Sequence, residues 1–110
     1  MGKITGIIAK KREGFEKAIE MASENKTIIL LYPEIDLLPL EQISFMDNLR
    51  KIANEKNFDI ILITLSPYIA GNCDEIYESR ENKIEKTKIP MQLAKADLTL
   101  LLRKIESESG

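Results

Sequence analysis

Residues 27–36, TIILLYPEID, decide the fold class of this chain. Residues 28–31 form an unbroken apolar run of strand length, and a run that is apolar on both faces is typical of an interior strand in a parallel sheet covered by helices. Pro33 ends the strand, because proline has no N–H to give to a sheet. Glu34 and Asp36 follow the strand end, where open α/β sheets bind ligands.

The next segments complete a strand, helix, strand unit. Residues 39–56 carry apolar side chains at helical spacing, and Pro39 stands where a helix tolerates proline. Residues 58–65, FDIILITL, form a second apolar run, which Ser66 and Pro67 close. A right-handed crossover then makes the two strands parallel. These elements predict an α/β protein with a mostly parallel sheet and helices on both faces.

The flanking segments are less regular. An amphipathic helix is predicted over residues 8–24, ended by Asn25 and Lys26. Residues 67–90 form a long polar excursion, which can hold a β-hairpin turning at Glu81 and Asn82; long excursions are often functional.

The C-terminal part of the chain is open to two interpretations. One is a short helical turn over residues 90–96 and a third strand over residues 97–102, DLTLLL; the other is a helix over residues 91–105. We assign residues 1–105 to one domain and residues 106–110 to a frayed tail.

Composition excludes several kinds of chemistry. The chain has 110 residues, no histidine, one cysteine and a net charge of −2. Catalytic triads, His-ligated metals, internal disulfides and multi-cysteine zinc sites are therefore ruled out. No apolar run reaches the roughly 18 residues of a membrane span, and no signal-peptide core is present. We expect a cytoplasmic protein with no membrane partner.

The order of these segments resembles the C-terminal half of a RecA-like ATPase core, most nearly that of DnaB-type replicative helicases and their RecA and KaiC relatives. In those helicases a Walker B strand is followed by a helix, a strand ending in Leu-Ser-Gln, a DNA-facing loop and an Ala-Asp strand ending in Arg. The matching positions here are Tyr32, Leu65, Ser66, Ala96, Asp97 and Arg103. The resemblance implies a small, truncated RecA-like three-layer core.

A second family resembles the same segments. LLYPEIDLLP is similar to the Asp-Glu-Pro-Glu-x-x-Leu-x-Pro segment of ABC, SMC and OLD-type ATPases, and LITLSPYI is similar to their Thr-His-Ser-Pro switch. The kept positions are Pro33, Glu34, Leu37, Pro39, Ser66 and Pro67. Both families share one core topology.

The chain lacks the residues with which these ATPases perform catalysis. No G-x-x-x-x-G-K-[ST] phosphate loop is present, and Leu31 stands at the Walker B Asp position. Phosphoryl transfer depends on positioned charges at these places. We therefore expect no catalytic residues, no metal, no cofactor and no ATP hydrolysis by this chain alone.

Basic residues provide the only positive functional signal. By the resemblance, part of the excursion corresponds to a loop that contacts single-stranded DNA, and an aromatic ring in it can stack on a base. The candidate residues are Tyr77, Arg80, Lys83, Lys86 and Lys88, with a second cluster at Lys10, Lys11 and Arg12. Mixed-sign runs of this kind are also typical of solvated surfaces.

The first hypothesis is a non-catalytic RecA-like module of DNA replication or recombination. It would bind single-stranded nucleic acid or an active ATPase or helicase, and would form homo-oligomers through the sheet edge left open by missing N-terminal strands. The alternatives are a nucleotide-binding subunit completed by a P-loop partner, and a small homo-oligomeric interaction module.

Overall fold

The computed structural model describes residues 2–22, 26–81 and 83–87, which form an α/β fold around one five-stranded sheet. The strand order is β2-β3-β1-β4-β5; β5 is antiparallel to β4, and every other pairing is parallel. The elements are β1 (Ile4–Ile8), α1 (Lys11–Met21), β2 (Thr27–Leu31), a 3₁₀ turn (Pro33–Asp36), α2 (Pro39–Lys56), β3 (Asp59–Thr64), α3 (Pro67–Gly71), β4 (Glu75–Arg80) and β5 (Lys83–Thr87).

The core lies on both faces of β1 and β3, because strands that are apolar on each face need cover on each face. Helix α1 packs on one face, where Ala18 meets Ile7 and Ile63. Helices α2 and α3 pack on the other face, where Leu49 and Ile69 belong to one cluster. The mostly parallel sheet with helices on both faces, predicted from the strand, helix, strand pattern, is confirmed.

The strand, helix, strand unit is confirmed as β2, α2 and β3, with β2 and β3 parallel. The interior position expected for β2 is wrong, because β2 is an edge strand of the described sheet. The hairpin predicted in the polar excursion is confirmed as β4 and β5, with Glu81 in its turn at φ 49°.

Strand β1 corrects the prediction for the N-terminal segment. The helix expected over residues 8–24 starts only at Lys11, and the segment before it forms a central strand. The N-terminal segment therefore supplies the central strand of the described sheet, whose two edge strands are β2 and β5. Gly6 explains part of the error, since glycine weakens a strand pattern. A Cβ at Gly6 would lie 2.9 Å from the Cys73 sulfur, so close packing requires glycine there.

Several predictions fall on residues outside the described ranges. They are the hairpin position Asn82, the helix-ending Asn25, the helical turn over 90–96, the alternative strand over 97–102 or helix over 91–105, and the tail over 106–110.

Asp74 connects the start of β4 to β1 and α2. Its carboxylate accepts hydrogen bonds from the Ile4 N–H at 2.8 Å and from Arg50 Nη1 at 2.8 and 2.9 Å. The Arg50 Nη2 group also donates to the Asn72 carbonyl at 3.1 Å. Burial opposes the charged form, but these donors outweigh it and hold the pKa of Asp74 below its ordinary value.

The lowered pKa predicts that acid weakens the fold through Asp74. A carboxyl group whose pKa is lower in the folded state stabilises the protein above its unfolded pKa and loses that contribution as the pH falls through the folded value. We expect the free energy of unfolding to fall below about pH 4, and Asp74→Asn to flatten that fall. Urea unfolding across this range measures the effect. The exposed Asp47→Asn is the control, and an equal flattening in both variants would contradict the assignment.

Candidate functional site at the carboxyl edge of the sheet

The carboxyl ends of β1 to β4 meet at one edge, because these strands are parallel. Helix α1 leaves β1 over one face, and α3 leaves β3 over the other face. Two neighbouring strands whose connections depart to opposite sides leave a crevice between them, and open α/β sheets bind ligands in such a crevice. We call this side of the molecule the carboxyl edge.

A cleft of about 360 Å³ opens beside these strand ends. It is lined by Ile8, Ala9, Lys10, Glu13, Leu65, Glu78, Ser79 and Glu81. The Ser79 hydroxyl donates to Glu13 at 2.8 Å, which joins the hairpin to α1. Three carboxylates against one lysine make this cleft predominantly acidic.

Glu34 is a structural carboxylate, engaged by the end of β3. It accepts from the Thr64 hydroxyl at 2.7 Å and from the Leu65 N–H at 2.9 Å. Thr64 is fully buried, and its oxygen also accepts from the Ser66 N–H at 3.0 Å. These bonds hold the 3₁₀ turn against the carboxyl end of β3.

Removing the Glu34 carboxylate should destabilise the fold. In Glu34→Ala the Leu65 N–H and the Thr64 hydroxyl lose their acceptor, so we expect unfolding to become easier by about 1 to 3 kcal/mol. Asp36→Ala, an exposed carboxylate of the same turn, is the matched control and should change stability by less than about 0.5 kcal/mol. Guanidinium unfolding of both variants measures the difference, and equal losses would refute this role for Glu34.

The other polar residues of the strand ends are also engaged. Ser66 caps α3, since its hydroxyl oxygen accepts from the Ile69 N–H at 3.3 Å. The Tyr32 hydroxyl donates to the Ala9 carbonyl at 2.8 Å. Cys73 lies away from this edge, just before the start of β4. It is a free thiol whose pKa is raised by burial to about 12, so it is protonated at neutral pH.

The topology brings the two predicted basic clusters to the same edge. Lys10, Lys11 and Arg12 follow the end of β1, while Arg80 and Lys83 flank the hairpin turn. The remaining candidates are Tyr77 and Lys86, which face each other within the hairpin, and Lys88, which lies outside the described residues.

Several of these basic side chains are paired with acids. Arg80 contacts Glu78 at 3.0 Å, Arg12 contacts Glu16 at 3.4 Å, and Lys86 contacts Glu75 at 3.6 Å. The Tyr77 hydroxyl donates to Glu75, and its ring packs against the cluster beneath α1. Such pairing reduces the positive potential that would attract a phosphate backbone.

An exposed apolar surface at the carboxyl edge was missed by sequence reasoning. The exposed fractions are 75% for Ile35, 66% for Leu38, 63% for Leu40 and 62% for Leu65. The Leu65 N–H donates to Glu34 and the Ser66 hydroxyl donates to Gln42, and these two hydrogen bonds hold the 3₁₀ turn and the start of α2 against the end of β3. We call Ile35, Leu38, Leu40 and Leu65 the edge patch. Leu40 fits the helical spacing of the apolar residues in 39–56, yet its side chain is exposed.

No model of a known protein family matches the chain, and no curated protein matches its sequence. Within residues 2–22, 26–81 and 83–87, no group of three or more acidic or cysteine side chains is placed to hold a metal ion. No helix of this described part combines the length and apolarity needed to cross a bilayer.

Proposed function

We propose that this chain is a non-catalytic RecA-like module that acts by binding an ATPase or helicase of the type it resembles, and that the partner docks on the edge patch. The carrying observation is the concentration of four large apolar side chains, each more than 60% exposed, at the edge where α/β sheets bind. Exposed apolar clusters of this kind mark interaction surfaces.

The connection between β1 and α1 supports a binding role over a catalytic one. It consists of Ala9 and Lys10 alone, and the Ala9 carbonyl accepts the Tyr32 hydroxyl. A phosphate loop instead wraps its ligand with the N–H groups of a longer, glycine-rich segment. At the end of β2, Glu34 is bonded to Thr64 and Leu65, which supports a structural use of that carboxylate.

A binding titration tests the proposal. The labelled full chain is titrated with purified DnaB-type helicase encoded by the same genome. We expect saturable binding, and at least about tenfold weaker binding by Leu38→Asp/Leu40→Asp, because docking energy concentrates in a few buried apolar contacts. Leu38→Met/Leu40→Met keeps the apolar surface and should bind as the unmodified chain does. Absence of binding, or equal binding by the Asp variant, would reject the proposal.

Single-stranded nucleic acid is the second candidate, because the two basic clusters converge on the carboxyl edge. Anisotropy with a labelled oligonucleotide at low and high salt separates the two candidates. Binding that falls steeply with salt and is unaffected by Leu38→Asp/Leu40→Asp would favour nucleic acid. A rise in the melting temperature on adding ATP and Mg²⁺ would instead favour a nucleotide-binding subunit.

A further inference from the structure

No strand of the described residues pairs with the outer edge of β2. The Tyr32 N–H donates to the Ile63 carbonyl of β3 at 2.7 Å. Alternate residues of a strand direct their backbone groups to opposite sides, so Ile29 and Leu31 direct theirs away from β3. Unlike the lysine-bearing β5 edge, β2 consists of TIILL and has no charge to discourage pairing.

Helix α1 extends this edge with apolar side chains. Gly14 and Ala18 face the sheet, and Glu13 lies on the side of α1 that reaches β4 through Ser79. By helical geometry, Phe15 and Ile19 lie on the opposite side, towards β2. They are 46% and 56% exposed, and Phe15 lines a shallow cleft with Leu31.

Helix α2 also extends the β2 edge with apolar side chains, on the opposite face of the sheet. Arg50 lies on the side of α2 that reaches Asp74 near β4. Phe45 and Ile52, seven residues apart, lie on the opposite side, and Phe45 packs against the cluster that contains Ile28. Ile52 is 40% exposed. The β2 side therefore shows apolar groups in all three layers.

We infer that this side is a homodimer interface, in which the β2 strands of two copies pair antiparallel about a two-fold axis. That symmetry places α1 beside α1 and α2 beside α2, so each apolar row meets its own copy, as an isologous interface requires. The sheets of the two copies become continuous, and Ile29 and Leu31 gain partners for their backbone groups.

The charges at the two ends of β2 favour a second copy as the occupant. Lys26 precedes the strand and the exposed Asp36 follows it, whereas the Glu34 carboxylate is bonded to Thr64 and Leu65 of the β3 side. Antiparallel pairing brings the Lys26 end of one copy to the acidic end of the other, so opposite charges meet at both ends. A parallel partner strand from a second copy would instead face like charges.

Light scattering on the full chain tests the interface. We expect a dimer at high micromolar concentration and a monomer for Ile19→Lys/Ile52→Lys, since two charges would be buried at each contact. Leu40→Lys, at the edge patch, is the matched control and should remain dimeric. Failure of the helicase proposal would leave the dimer prediction standing, because Ile19 and Ile52 are not residues of the edge patch. A monomeric unmodified chain, or a dimeric Ile19→Lys/Ile52→Lys variant, would overturn the inference.

Amide hydrogen exchange identifies the occupant of the edge. In the dimer the Ile29 and Leu31 amides should exchange more slowly than in the Ile19→Lys/Ile52→Lys monomer, by more than about tenfold. Tyr32, bonded to Ile63, should stay protected in both. Protection of Ile29 in a monomer at every concentration would show that the chain's own residues 88–110 cover the edge, and would overturn the dimer.

Discussion

Replacing Leu62 by alanine should lower the free energy of unfolding by about 3 to 5 kcal/mol. Leu62 is fully buried in β3 and belongs to the cluster beneath α2 and α3. Its paired residue in the neighbouring strand β1 is Gly6, which has no side chain to move into the space. The cavity therefore stays open, and the cost falls in the upper part of the range for such substitutions.

Leu40→Ala is the matched control for this prediction. Leu40 is 63% exposed, so the same chemical change should alter stability by less than about 0.5 kcal/mol. Guanidinium unfolding measures both free energies, and the slope of the free energy against denaturant concentration should be the same in the variants and the unmodified chain. A loss below about 1 kcal/mol for Leu62→Ala would contradict the position of β3 between β2 and β1.

The unit β2, α2 and β3 could be predicted because its signals are local and strong. Residues 28–31 are apolar without interruption, α2 starts with Pro39, and Asn57 ends it in the left-handed conformation that asparagine tolerates. Strand β1 could not, since five residues with a central glycine carry little pattern. Its place in the sheet depends on α3 packing over Gly6, a contact between segments far apart in the chain.

The candidate site was harder to predict for the same reason. The sequence placed Glu34 only after a strand end, because no local pattern reveals that Thr64 and Leu65 donate to it from the end of β3. The edge patch is also a tertiary property. Leu40 fits a helical stripe in sequence, yet it lies in the first turn of α2, beyond the part of the helix that covers the sheet.

Gly14→Val should destabilise the fold by about 2 to 3 kcal/mol, despite the better helix propensity of valine. Gly14 lies buried in the first turns of α1, against β3. A Cβ at this position would stand 2.6 Å from Cγ2 of Ile63, which is fully buried and has no room to retreat. Helix α1 must then move away from the sheet, which exposes part of the cluster around Ala18. Thermal unfolding of the variant measures the loss.

A double-mutant cycle separates this clash from a general effect on the helix. Ile63→Ala alone should cost about 3 kcal/mol through the cavity that it leaves. In the combined Gly14→Val/Ile63→Ala variant, the valine enters that cavity, so the total loss should be smaller than the sum of the single losses by more than about 1 kcal/mol. Strictly additive losses would mean that the cost of the valine does not come from its contact with Ile63. A favourable coupling would instead establish that the absence of a side chain at Gly14 sets how closely α1 approaches β3.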